Sequence, residues 1–183
     1  LDHNTSTCPD KIVVVADATN LKRGLLLLTQ VIDVGLPTVL ALNMMDLVAK
    51  AGISYDILAL SNHLGIPVVH INARSGTGLE ELKRVMESPL EIPTKKIFTV
   101  YEEATAPVKA LRDQLHLDND YEAYQFLQQP KSLKFLSKDK QQLIESISAQ
   151  HNFFPGKFQG AETIQRYTFI QDLLDKVTLK TSD

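Results

Sequence analysis

The sequence predicts an α/β fold in which a parallel sheet of βαβαβα order is followed by an all-α helical bundle. Three short apolar runs, at residues 11–17, 36–43 and 66–71, are each followed by a helical or loop segment. The same helix-to-strand junction occurs twice between these runs. Gly35 and Gly65 each end a predicted helix and stand two residues before a proline near the start of the next apolar run. These runs predict strands buried on both faces and joined by right-handed crossovers.

The helices of the first half follow from the same alternation. Leu21–Val34 carries apolar residues at helical spacing, with Asn20 as a suitable N-cap and Gly35 as a suitable C-terminal glycine. Residues 47–52 are expected to lead away from the loop after the second strand. Further helices are expected at residues 54–64 and 79–86.

The second half has a different character. Pro89 and Pro93 interrupt the periodicity, which predicts a boundary there and two domains, at residues 1–90 and 91–183. Beyond the boundary, apolar residues recur at helical spacing with few strand-like runs. The pattern predicts a bundle of helices at residues 99–117, 119–128, 138–150 and 160–179.

Composition excludes several classes of function. The net charge of −3 and the ordinary charged fraction do not favour nucleic acid as a partner. The single cysteine, Cys8, forms no disulfide framework, and the five histidines lack the spacing of metal ligands, so we expect no metal site. No apolar run reaches the roughly 18 residues that a membrane span needs.

The end of the second strand carries a polar pair, Asn43 and Asp46. Ligands of open α/β sheets bind at the carboxyl ends of the strands. A carboxylate there can accept the two adjacent donors of guanine, N1–H and N2–H, which adenine lacks, and an amide can serve the acceptor edge or join two loops. A second interpretation stays open: both residue types commonly cap the next helix.

The third strand leads into a loop with small residues, Asn72-Ala73-Arg74-Ser75-Gly76-Thr77-Gly78. Because the carboxyl ends of parallel strands meet at one edge of the sheet, we expect this loop to lie near Asn43. A small residue at position 73 allows a backbone N–H to approach a ligand closely. The same glycines also fit an ordinary strand-to-helix turn.

Taken together, these segments resemble the second half of a translation-factor-type GTPase domain, so the sheet is expected to be a partial P-loop-GTPase-like sheet. The phrases 15–23 (VADATNLKR) and 41–46 (ALNMMD) are more closely similar to the cytosolic N-terminal region of the ferrous iron transport protein B (FeoB) family. Met44 is typical of that family, whereas most small GTPases have lysine there. The phrase 162–167 (ETIQRY) resembles the helical domain that follows the GTPase domain.

The resemblance implies a nucleotide-binding set. Asn43 and Asp46 would hold guanine, with Met44 between them, Ala73 would offer its backbone N–H to guanine O6, and Arg74 would line the base pocket. Asn72 departs from the family pattern, which has serine or threonine there. The implied ligands are GTP and GDP, with Mg²⁺ in the intact parent. The implied partner is a membrane permease domain of the same parent chain, at the cytoplasmic side of the bacterial inner membrane.

The catalytic half of such a domain is not recognisable in this sequence. It contains no Gly-x-x-x-x-Gly-Lys-Ser/Thr motif and no Asp-x-x-Gly motif. Phosphoryl transfer needs a phosphate cradle, a Mg²⁺ ligand and a positioned water. We therefore expect a fragment that lacks the P-loop, has no catalytic residues and binds nucleotide weakly.

Two other functions remain open at this stage. An Obg- or Era-type GTPase fragment acting on RNA would need a basic face, and the lysines between residues 131 and 140 are flanked by acidic residues. The other is a non-enzymatic helical interaction module, in which the bundle binds the partner and the sheet only supports it. The partner in that case could be a second copy of the chain, which would give a homo-oligomer.

Overall fold

The computed structural model of the chain describes residues 9–133 and 135–180. Its secondary structure in the described ranges consists of five strands, eight α-helices and two short 3-10 helices, Ala18–Asn20 and Pro130–Ser132. The strands are β1 (Ile12–Asp17), β2 (Thr38–Asn43), β3 (Ile53–Tyr55), β4 (Val68–His70) and β5 (Thr178–Lys180). The helices are α1 (Leu21–Val34), α2 (Met45–Lys50), α3 (Ile57–Leu64), α4 (Leu79–Glu87), α5 (Glu102–Leu115), α6 (Asp120–Gln128), α7 (Lys138–Gln150) and α8 (Gln159–Val177).

The central sheet is parallel and has the order β1-β2-β4. Strand β2 lies in the middle, and its residues 38–42 are all buried, which explains why this run is apolar from Val39 to Leu42. The predicted parallel sheet is confirmed. Its third strand is shorter than the expected run 66–71, because only Val68–His70 pairs with β2.

Both faces of this sheet are covered. On one face, Val14, Leu40 and Leu42 pack with side chains of α1, α3 and α8. On the other face, Val39 and Ala41 of β2, Val69 of β4 and the following Ile71 pack against α4. Helix α1 has the predicted bounds and ends at Gly35, whose φ of 82° is the left-handed conformation that glycine adopts readily.

A second, two-stranded sheet was not predicted. Strands β3 and β5 pair antiparallel, although residues 54–64 were expected to be wholly helical and the last helix was expected to continue to residue 179. Helix α3 instead begins at Ile57, because the Asp56 carboxylate accepts the Ala59 N–H at 2.9 Å as an N-cap. The helix α2 (Met45–Lys50), which overlaps the segment 47–52 expected only to lead away from β2, was also missed.

The chain divides into two compact units. Residues 9–97 and 167–180 form the first, and the described residues of Phe98–Arg166 form the second. This differs from the expected boundary at residues 90 and 91. Ile97 packs against the core that covers the sheet, and Ile170, Leu173 and Val177 of α8 belong to that core. Helix α8 thus begins in the second unit and ends in the first.

The second unit contains helices α5, α6, α7 and the start of α8, at bounds close to those predicted. Its core includes a buried ion pair: Arg166 is 1% exposed, and its Nε donates to Glu162 Oε1 at 3.0 Å. The Tyr121 hydroxyl donates to the same carboxylate oxygen, also at 3.0 Å. Burial, the largest cause, raises the pKa of Tyr121, so the phenol remains a donor at neutral pH.

None of the helices within 9–133 and 135–180 combines the length and the apolarity that a bilayer crossing needs.

Candidate functional site

The register of the sheet brings the predicted polar residues to one edge. Asp17 at the end of β1 is aligned with Asn43 at the end of β2, and Leu42 is aligned with His70 at the end of β4. The chain then continues from β4 into the alanine loop (residues 72–78). The carboxyl ends of the three strands therefore place the Asn43 segment and the alanine loop side by side, as the sequence predicted.

A direct hydrogen bond joins these two segments. The Ala73 backbone N–H donates to Asn43 Oδ1 at 3.2 Å. Of the two roles considered for the Asn43 amide, the structure shows the joining of two loops. The Ala73 N–H, expected to face a ligand, has a protein acceptor here, so a ligand oxygen at this N–H would have to share it or replace Asn43.

Asp46 lies in the first turn of α2 and is exposed. Within residues 9–133 and 135–180, its carboxylate takes part in no hydrogen bond or ion pair. The capping alternative does not account for this residue, because the N-cap of α2 is Met44, which makes no side-chain capping bond. Asp46 is thus an available acceptor a few residues from the Asn43–Ala73 hydrogen bond.

Met44 adopts an unusual backbone conformation. Its φ of 65° and ψ of 26° lie in the left-handed region, which is uncommon for residues other than glycine. Such a conformation costs about 1–2 kcal/mol and is common where a functional site requires a particular chain path. It turns the chain between Asn43 and Asp46, and the Met44 side chain is partly exposed at this turn.

Asn72 organises the loop after β4. Its Oδ1 accepts the backbone N–H groups of Arg74 and Ser75, at 3.0 and 3.1 Å. Its backbone N–H donates to Thr77 O at 2.8 Å, and its carbonyl accepts the Gly76 N–H at 2.9 Å. Asn72, which departs from the family pattern, therefore stabilises the loop through hydrogen bonds within it. Arg74 is exposed at the same loop.

One contact beside the site was not predicted. The Tyr55 hydroxyl donates to Ala18 O at 3.2 Å, which joins β3 to the turn after β1. Burial raises the pKa of the Tyr55 phenol, so this donor is protonated at neutral pH. A strand of three residues next to a helical pattern gives no periodic signal, so nothing in the sequence indicated this contact.

Comparison with known proteins identifies the family. Residues 3–86 match the family described as ferrous iron transport protein B. These residues belong to the FeoB N-terminal G domain.

Relatives and solved structures agree with this assignment. The Fe(2+) transporter FeoB of Leptospira biflexa is 36% identical over 129 residues, and the FeoA/FeoB fusion protein of Porphyromonas gingivalis is 35% identical over 199 residues. These alignments cover 70% and 96% of this chain but only 18% and 23% of the relatives, so the chain spans about a fifth of their length.

The fold is that of the FeoB cytosolic region. The cytosolic domain of L. pneumophila FeoB superposes with a TM-score of 0.70 at 27% identity, covering 96% of this chain and 70% of that one. A mutant S. thermophilus NFeoB bound to GDP superposes with a TM-score of 0.69 at 28% identity, covering 93% of this chain and 70% of that one. The chain therefore has a P-loop-GTPase-like α/β fold that matches the cytosolic domain of FeoB, and its residues 3–86 match the FeoB family.

Proposed function

We propose that this FeoB region recognises the guanine base of GTP and GDP, and that Asp46 is the residue on which recognition depends. The supporting observation is the available carboxylate of Asp46, three residues after Asn43, whose amide is hydrogen-bonded to Ala73. The similarity to an S. thermophilus protein bound to GDP supports the same ligand.

Each residue of the proposed site has a chemical role. Asp46 accepts guanine N1–H and N2–H, and the Asn43 amide keeps the two loops together while its NH₂ group serves the acceptor edge of the base. Met44 covers the base with its apolar side chain. Ala73 shares its N–H between Asn43 and guanine O6, Asn72 braces the loop, and Arg74 lines its outer side.

The proposal includes weak binding and no catalysis by this chain alone. Most of the affinity of such domains for nucleotides comes from the phosphate cradle and Mg²⁺, and no P-loop motif occurs in these 183 residues. We place no Mg²⁺ ligand among residues 9–133 and 135–180, and we expect a GDP dissociation constant of about 1 mM at best.

For the longer protein, we propose that GTP binding and hydrolysis regulate a ferrous-iron permease domain of the same chain, with this region on the cytoplasmic side of the bacterial inner membrane. Its support is the name that the relatives share, Fe(2+) transporter FeoB. The RNA-acting alternative has no comparable support. Homo-oligomerisation through the helical bundle stays a prediction.

The decisive test is an exchange of base specificity. Xanthine carries an oxygen at C2 where guanine carries an amino group, so an amide at position 46 can pair with xanthine, whereas a carboxylate cannot. We expect Asp46→Asn to weaken GDP binding by at least about tenfold. The same change should strengthen binding of xanthosine diphosphate (XDP) by a similar factor. A variant that is merely unfolded cannot gain affinity for XDP.

Ligand-observed NMR titration detects binding in the millimolar range and serves as the assay. Asp172→Asn removes an exposed carboxylate of α8 and is the matched control, which should bind both nucleotides as the unmodified chain does. An Asp46→Asn chain whose preference for GDP over XDP is unchanged would refute the role of Asp46. A micromolar dissociation constant for the unmodified chain would contradict the expected weak binding.

A further inference from the structure

The helix that carries Asp46 has little packing of its own. Helix α2 contains only six residues, and Val48 is its one buried side chain. A helix of this length is not stable by itself. Met45 packs against the core on one face of the sheet and holds the start of the helix, whereas the position of the far end depends on the strand β3 that begins at Ile53.

The strand β3 depends in turn on the last described strand of the chain. Ile53, Ser54 and Tyr55 pair with Lys180, Leu179 and Thr178, and β5 is the strand partner of β3 in the ranges 9–133 and 135–180. The backbone pairing extends one step further, because the Asp56 N–H donates to Val177 O at 2.8 Å. Leu179 is 52% exposed, so its contribution to the pairing comes largely from the backbone.

We propose that β5 is a positioning element for Asp46. Its pairing with β3 fixes the far end of α2, and it thereby holds the carboxylate where it can accept both donors of guanine. Because linkage is reciprocal, guanine binding also strengthens the pairing of residues 178–180 with residues 53–55. This inference rests on the guanine recognition proposed above, and it connects the base site to a strand more than a hundred residues away along the chain.

The test breaks the pairing without removing a buried side chain. Proline at position 179 cannot donate a backbone hydrogen bond and disfavours the strand, whereas Leu179→Ala removes the same exposed side chain and keeps the N–H. Inosine diphosphate (IDP) lacks the N2 amino group of guanine, so the ratio of GDP to IDP affinity measures how well Asp46 is placed. We expect this ratio to be at least about ten in the unmodified chain.

The Leu179→Pro chain should bind GDP at least about fivefold more weakly, with the affinity ratio reduced towards one, while Leu179→Ala keeps both values. If Leu179→Pro weakens GDP and IDP binding by the same factor, the affinity ratio is unchanged. That result would indicate a merely structural role of β5 and would overturn this inference without affecting the proposed function. If the unmodified chain binds GDP no better than IDP or ADP, the proposed function fails, and this inference fails with it.

Hydrogen exchange tests the reverse direction in a chain with β5 intact, and it remains decisive if Leu179→Pro does not fold. GDP should slow exchange of the Ser54 and Leu179 amides in the unmodified chain but not in Asp46→Asn. Unchanged exchange at these amides under saturating GDP would contradict the reciprocal coupling.

Discussion

Alanine substitutions at two glycines of the alanine loop allow backbone strain and steric collision to be measured separately. Gly76 and Gly78 both have left-handed backbones, with φ of 81° and 80°. A Cβ at Gly76 would have no atom within 4 Å, whereas a Cβ at Gly78 would lie 2.1 Å from the backbone oxygen of His70. Gly76→Ala therefore adds only conformational strain, and Gly78→Ala adds the same strain together with a collision.

The expected magnitudes follow from these contacts. Placing alanine in the left-handed region costs about 1–2 kcal/mol, so Gly76→Ala should lower the free energy of unfolding by that amount. Gly78→Ala must also move the loop away from the last residue of β4, since the 2.1 Å separation from His70 O is far shorter than the 3.0 Å that real Cβ atoms keep. Such overpacking adds about 1–3 kcal/mol, which gives a total of about 2–5 kcal/mol.

Urea unfolding measures the difference. Because residues 98–166 form a separate unit, the signal should come from the sheet, and the amide resonances of Leu40 and Ala41 in the buried strand β2 report it. The free energy follows from linear extrapolation to water. Equal losses in the two variants would refute the reasoning, because they would show that the close approach to His70 has no energetic consequence.

Two further predictions concern the second unit. Arg166→Ala should lower its free energy of unfolding by about 3–5 kcal/mol, because the buried Glu162 carboxylate loses its cationic partner. Breaking the exposed Glu80–Lys83 pair of the first unit by Lys83→Ala should have a far smaller effect, because water screens both charges. Urea unfolding at neutral pH compares the two, and similar losses would contradict the role of burial. Burial also raises the pKa of Tyr124 to about 12, and the protonated phenol is therefore favoured in the folded state. This contribution is complete below the unfolded pKa of about 10 and is lost as the pH rises through about 12, so urea midpoints should fall over that interval, and less steeply in Tyr124→Phe.

Local patterns were sufficient for most of the first unit. The strand Thr38–Asn43, the helix Leu21–Val34 and its end at Gly35 were all predicted from apolar periodicity and from glycine, which act over a few residues. The placement of Asn43 beside the alanine loop was also predicted, because parallel strands end at a common edge. The nucleotide-binding set itself stays a prediction until the base-exchange experiment is done.

Sequence alone therefore determined the parallel sheet, its helices and the edge at which Asn43 meets the loop at residues 72–78, since each follows from local patterns along the chain. Only the tertiary structure decided that Asn43 accepts the Ala73 N–H, that β3 pairs with β5, and that the end of α8 belongs to the first unit. Those contacts join segments from 30 to more than a hundred residues apart. Three-residue strands have no periodicity to detect, and their pairing exists only because the rest of the fold brings their backbones together.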